Sequence, residues 1–356
     1  MNTRPTPLRT AVMSALALVA PLNLLAQTAP AVPAVSTAQT APAAPAVSLI
    51  GRATPDIASL PPGPQKALVE YGKQLTERTF AHIGPEAANQ KLRYAGNNLA
   101  CVSCHQGSAA KPFAMPWIGV SASFPQYRAR EDDISTVEER VNGCMERSMN
   151  GKPLPLNSRE MKAFTTYIAF LSQGVPVGAT VQGAATVQSK MPNRRADVTA
   201  GAAVYAAKCA VCHGTDGLGQ RVGKAGDGQG YTFPPLWGPD SFNTGAGMNR
   251  LAMATRFVKH NMPLGASHDA TQLSDDEAYD VSAFMVSQPR PVKANLELDF
   301  PARWNKPVDA AFPPYLLGTA DQHKFGPFPP LAEKQKQMAE QLKTQAAAER
   351  ATGAKR

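Results

Sequence analysis

The sequence predicts a mainly α-helical chain built as two tandem halves, and three observations carry that prediction. The motif Cys-x-x-Cys-His occurs twice, as Cys101-Val102-Ser103-Cys104-His105 and as Cys209-Ala210-Val211-Cys212-His213. Each motif is preceded by a stretch with helical character and followed, after irregular sequence, by a capped segment with helical composition. A Gly/Ala/Val/Pro-rich stretch, residues 174–195, separates the halves. Two thiols two residues apart, with a histidine directly after them, suit covalent attachment of a haem: thioethers form at the vinyl groups and the imidazole ligates the iron. The rival is a structural zinc site made of two Cys-x-x-Cys pairs. Zinc does not need the adjacent histidine in both motifs. Two covalently bound haem c groups are therefore expected, one on Cys101, Cys104 and His105, the other on Cys209, Cys212 and His213.

Residues 1–26 read as an export signal. Arg4 and Arg9 make a basic start, 11–26 is apolar, and Ala26 suits cleavage. The run is short for a bilayer span and Pro21 interrupts it, which favours cleavage over a retained anchor and stable membrane insertion. An exported bacterial protein with covalent haem belongs in the periplasm or on the outer membrane face. Residues 27–48 are Ala/Pro/Thr/Val-rich and uncharged, as in an extended disordered linker.

The first haem domain is expected over 49–174. Residues 64–80 have a helical pattern with Leu68, Tyr71, Leu75 and Phe80 as core candidates. A loop rich in Pro, aromatics and Arg covers 111–130. Ser135-Thr136-Val137-Glu138 reads as a capping box opening a helix to about residue 150, with Ile134, Val137, Val141 and Cys144 on one face. Gly151, Pro153 and Pro155 stop it. Asn157-Ser158-Arg159-Glu160 caps a closing helix to about residue 172, with Met161, Phe164, Ile168 and Leu171 buried. One helix before the haem motif and one closing the domain is the cytochrome c plan. Residues 175–197 form a connector. The second domain, 198–290, repeats the plan: a short helix over 201–208 carrying Tyr205, the motif, a Gly-rich loop, an aromatic and Pro run against the haem, and a capping box at Ser274-Asp275-Asp276-Glu277 starting a helix to about 287. An irregular wrap over 291–331 and a polar tail over 332–356, either a solvated helix or disordered, complete the chain.

The net charge is +9, spread along the chain and partly in the tail. No basic stripe interleaves with aromatics, so no nucleic-acid partner is expected. The excess fits an anionic substrate or an acidic redox partner. Met262 is the expected distal ligand of the second haem, since it lies in a Met-Pro loop before the closing helix. Met248 competes, and His260 shares the same short segment. Cys144 is the one cysteine outside the two motifs. It is read as the sixth ligand of the first haem, against an inert buried thiol, an intermolecular disulfide or a free thiol. An unpaired thiol is a liability in an oxidising compartment, and the first domain lacks a Met-Pro loop before its closing helix. Arg140 and Ser148 lie one turn either side of Cys144, and an adjacent arginine favours thiolate and binds oxyanions. Arg128, Arg130 and Arg147 are close in sequence.

The run Arg140-Val141-Asn142-Gly143-Cys144-Met145-Glu146-Arg147-Ser148-Met149-Asn150-Gly151-Lys152-Pro153-Leu154-Pro155, both haem motifs and Asn261-Met262-Pro263-Leu264-Gly265 resemble the thiosulfate dehydrogenase family of dihaem cytochromes c. Lys306-Pro307-Val308-Asp309 and Gln322-His323-Lys324-Phe325-Gly326-Pro327-Phe328 resemble its closing segment. The resemblance runs from about Gly51 to Pro330. It implies that His105 and Cys144 ligate a haem where two thiosulfates become tetrathionate, or the reverse. It also implies that His213 and Met262 ligate an electron-transfer haem serving a soluble or membrane cytochrome, and that Arg130, Arg140 and Ser148 are active-site residues. Some relatives carry a ligand-exchanging Lys before the Met; here the residue is Asn261, which argues against such a swap. A dihaem electron carrier without catalysis and a sulfur-oxidation cytochrome subunit are the alternatives.

Overall fold

Two helix crossings, one in each half, give the chain its architecture. The computed structural model describes residues 45–351 and 353. The expected export signal and most of the expected linker lie outside them. Helix Pro64–Glu77 starts with a proline, whose missing N–H is unneeded in a first turn. It crosses helix Arg159–Leu171, capped by Ser158, whose hydroxyl accepts from the Met161 amide. Gly72 lets the backbones meet: a Cβ there would run into the Ala163 carbonyl and the Tyr167 Cβ. The second half repeats the device. Helix Val198–Lys208 crosses helix Asp275–Ser287, and Gly201 lies on the Asp280 carbonyl. Asp197 caps the first of these helices, and Ser274 with Glu277 forms a reciprocal capping box on the second.

The halves share apolar packing. The first core holds Leu75, Met145, Met149, Met161 and Phe164, together with Phe242 and Ala246 from beyond the second haem motif. The second holds Tyr205, Trp237, Leu251, Tyr279 and Phe328. Met248 packs against both. Among the described residues no helix is long and apolar enough to cross a membrane.

Several boundaries differ from the sequence reading. Ala46–Ser48 is not linker: it pairs in parallel with Thr180–Gln182, in the connector, where each strand satisfies the other's backbone groups. The 64–80 pattern is two helices, because the first ends at Glu77 and Phe80 belongs to Thr79–Ile83. The capping box at 135–138 moves one residue on. Thr136 accepts from the Glu139 amide and Glu139 returns the bond. Ser135 lies instead in strand Asp133–Ser135, which pairs with Gln126–Arg128. Ile134 is therefore exposed rather than part of a helical stripe. The helix ends at Arg147, and its fully buried residue is Met145, next to Cys144 rather than on the Val137–Val141–Cys144 face. The second domain's first helix begins at Val198, not Gly201, because Asp197 is the cap. The tail is helix Pro329–Ala351, starting before residue 332.

Gly201→Ala is expected to lower stability by about 1–3 kcal/mol or more, because overpacking forces backbones apart. Gly247→Ala, where a Cβ meets open space, is expected to stay within about 0.5 kcal/mol of the parent. Chemical denaturation of the two variants checks the contrast.

Candidate active site

A cavity of about 320 Å³ lies beside the second motif. Cys209, Cys212 and His213 line it, with Tyr205, Leu236, Phe257, Val258 and Met285 as apolar walls. His213 Nδ1 bonds the Pro234 carbonyl at 2.8 Å, which fixes the ring and leaves its other nitrogen for a metal. Burial pushes the His213 imidazolium below its ordinary range, so the ring is held in the neutral, ligating form. Thiols at one edge, an oriented imidazole and an apolar slot fit a haem c. Met262 lines the same cavity from the end of helix Leu251–Asn261, and Met248 also reaches it. Cys104 and the neighbouring Val102 and Ser103 of the first motif sit on this wall too, so both attachment motifs face one space.

In the first half His105 is oriented in the same way. Its Nδ1 meets the Met115 carbonyl at 2.5 Å. His105 also lies close enough to the Cys144 thiol to favour its ionised form. A nitrogen and a sulfur brought together in this way are a donor set suited to a haem iron. Burial pushes Cys101 and Cys104 up to about 12. Burial also opposes ionisation of Cys144, but the Arg140 charge and then His105 outweigh it and hold that thiol down to about 6. Arg140 Nη1 donates to Cys144 Sγ at 2.8 Å. The three thiols therefore share a neighbourhood while Cys144 alone is poised as thiolate.

Arg140 also faces outward into a chamber of about 550 Å³ lined by Arg128, Arg130, Arg140 and Arg250, with Phe124 and Phe300. Arg128 pairs with Glu131 at 3.0 Å, and Arg250 with Asp309 at 3.4 Å. Arg130 pairs with Asp299 and lies over the Phe300 ring at 4.8 Å. Asp299 also binds Arg147 at 2.6 Å, so one carboxylate serves two guanidiniums. Burial and the Arg147 charge pull Arg130 down to about 10, which leaves it cationic at neutral pH. Arg140 has no carboxylate partner among the described residues. The chamber is thus net positive and suits a small dianion.

The structure brings Arg130 and Arg140 together on this chamber. Ser148 is not on its wall: it caps the Cys144 helix through its amide, which bonds the Cys144 carbonyl. Arg147 points to Asp299 instead. Sequence reasoning missed Arg250, Asp299 and Phe300. They come from the second half and the wrap, and no motif or period marks them. They reach the chamber only through the tertiary fold.

Comparisons with known proteins bear on the fold and the family. Residues 91–177 match the SoxA/TsdA cytochrome c domain family, and residues 198–289 match the cytochrome c family. The thiosulfate dehydrogenase of Allochromatium vinosum is 42% identical over 247 residues, which cover 68% of this chain and 86% of that protein. The thiosulfate dehydrogenase of Psychrobacter arcticus is 38% identical over 250 residues, covering 69% and 71%. The solved thiosulfate dehydrogenase (TsdBA) of Marichromatium purpuratum, as isolated, superposes with a TM-score of 0.61 at 34% identity. It matches 69% of this chain, which spans 51% of that longer one.

Asp299→Ala strands two buried guanidiniums and is expected to cost about 3–5 kcal/mol, the usual penalty for breaking a buried pair. Denaturation of the purified variant reads it; a loss below about 1 kcal/mol contradicts the shared-carboxylate role.

Proposed function

The chain belongs to the thiosulfate dehydrogenase family, carries two haem c groups in two cytochrome c domains, and we propose that it joins two thiosulfates into tetrathionate at the Cys144 centre. In this reading His105 and Cys144 would hold the iron of the first haem, and His213 and Met262 that of the second. Met248 is the less suitable thioether because it is committed to packing in both cores. Met262 instead follows a helix end whose Asn261 amide is pinned to the Phe257 and Phe113 carbonyls at 3.1 and 3.3 Å.

The observation that carries the proposal is the Arg140–Cys144 contact at the inner end of an arginine-lined chamber. Two thiosulfate dianions repel each other. Arg130 and Arg140 offset that repulsion and hold the sulfane sulfur of one toward the thiolate. Cys144 sulfur bonds that sulfane sulfur with loss of two electrons, giving a cysteine-bound S–S–SO3 group. The second thiosulfate then attacks, through its own sulfane sulfur, the sulfane sulfur bonded to Cys144, and the Cys144–sulfur bond breaks. Tetrathionate leaves and the thiolate is restored, as in thiol–disulfide exchange. Two thiosulfates thus give one tetrathionate and two electrons, with no proton taken or released. When bound, the two haems supply two one-electron acceptors, the thiolate-ligated one at lower potential and the thioether-ligated one at higher. An exported cytochrome is the external acceptor, and the periplasm is the compartment that suits residues 1–26.

Cys144→Gly is expected to abolish thiosulfate-dependent reduction of ferricyanide while leaving both haems attached. Full activity in that variant overturns the reading and favours a non-catalytic carrier. Arg140→Ala is expected to lower kcat by roughly 10²–10³-fold, as for loss of one preorganised charge-stabilising donor. Steady-state kinetics on the loaded enzyme reads this second outcome.

A further inference from the structure

Arg290 is a partly buried cation without an anion. It follows the closing helix of the second domain. Its guanidinium lies over the Phe242 ring at 4.3 Å and donates to the Leu236 carbonyl at 3.2 Å and the Met285 carbonyl at 2.7 Å. Its Nε is buried without a partner. Among the described residues no carboxylate lies within ion-pair distance of it. Burial pulls it down to about 10, and no acidic group counters that effect. Its charge acts on another cation, Lys324, whose proton affinity burial lowers first and Arg290 lowers further. A guanidinium taken out of water with only carbonyl partners carries a large desolvation cost. Three carbonyl or ring contacts do not discharge that cost, so the arrangement calls for an anion.

Its surroundings say where the anion comes from. Leu236, Phe242 and Met285, which Arg290 contacts, all line the cavity that fits the second haem, and Arg290 lies behind that wall, bordering a neighbouring pocket with Lys293 and Lys324. A haem brings two propionate carboxylates with it. We propose that Arg290 is the counter-charge of the second haem, balancing its carboxylates and raising its reduction potential above that of the first. A fixed positive charge in a low-dielectric wall favours the reduced iron, which carries one positive charge fewer. Arg290 is a positioning and tuning residue rather than a catalytic one, since it faces neither Cys144 nor the arginine chamber. The inference rests on the second haem being the electron exit only for its effect on turnover. The effect on potential stands apart from thiosulfate chemistry.

Spectroelectrochemical titration of the holoprotein tests it, with Arg290→Gln and Arg290→Lys beside the parent. The Gln variant is expected to lower the potential of the second haem and leave the first near its parent value. The Lys variant is expected to keep most of the parent potential. The methionine–iron charge-transfer absorbance should persist in both. An unchanged second potential in the Gln variant, or an equal fall in both haems, overturns the proposal. If the Gln variant does not take up haem, the Lys variant decides alone: a loaded protein whose second potential has fallen, although the charge is retained, overturns it. Absence of the methionine band in the parent would count against Met262 as ligand, a separate failure from any insensitivity to Arg290.

Discussion

The hydrogen bond from Arg140 to Cys144 is the interaction on which the site depends, and most of the surrounding structure serves to keep it in place. Two residues four apart on a helix face each other only while the helix stays regular and correctly rotated. Thr136 and Glu139 fix its start. Met145, one residue beyond the cysteine, is buried in the core and sets the rotation. Asn142 exchanges two hydrogen bonds with Leu154, so the next segment cannot slide. At the far end, where a helix leaves carbonyls unpaired, Asn243 donates to the Glu146 carbonyl and Asn97 to the Ser148 carbonyl. One of these asparagines precedes the first haem motif and the other follows the second. The helix is held by both halves of the molecule.

The irregular C-terminal wrap has a comparable role in the chamber. Asp299 pins Arg147 on the Cys144 helix and Arg130 on the chamber wall, while Phe300 lies under Arg130 and its amide bonds the Arg130 carbonyl at 2.8 Å. Asp309 accepts from the Ala252 amide and pairs with Arg250. Two loop carboxylates of this wrap, which otherwise holds short helical turns and helix Ala320–Phe325, thus orient two of the four chamber arginines. The carboxylates also limit the positive field: enough charge remains to draw in a dianion, and the buried guanidiniums are not left wholly uncompensated.

Much of this was legible in the sequence because local chemistry specifies it. The two Cys-x-x-Cys-His motifs, the Ser158 and Ser274 caps and the buried stripe of Met161, Phe164, Ile168 and Leu171 depend on neighbours within a turn or two. Arg140 was found for the same reason, as it lies one helical turn from Cys144. The errors fall where tertiary pairing overrides local pattern. Ile134 fits a helical stripe by spacing, yet Ser135 is drawn into a short antiparallel pair and the cap passes to Thr136. Ala46–Ser48 looks like linker until the connector supplies a strand beside it. Ser148 has suitable spacing, but it sits at a helix end and off the chamber wall. Arg250 and Asp299 carry no local signal at all, because Asp309, the partner of Arg250, and Arg130 and Arg147, the partners of Asp299, all lie many helical turns away in sequence.

The central claim is that the Cys144 sulfur itself bonds the substrate sulfur. Mass spectrometry of the Cys144 peptide, from oxidised enzyme quenched within a turnover of thiosulfate addition, tests this most directly. The account predicts a thiosulfate-derived adduct on Cys144 that disappears when excess thiosulfate is added before the quench. Steady tetrathionate formation with Cys144 unmodified at every time point would contradict it.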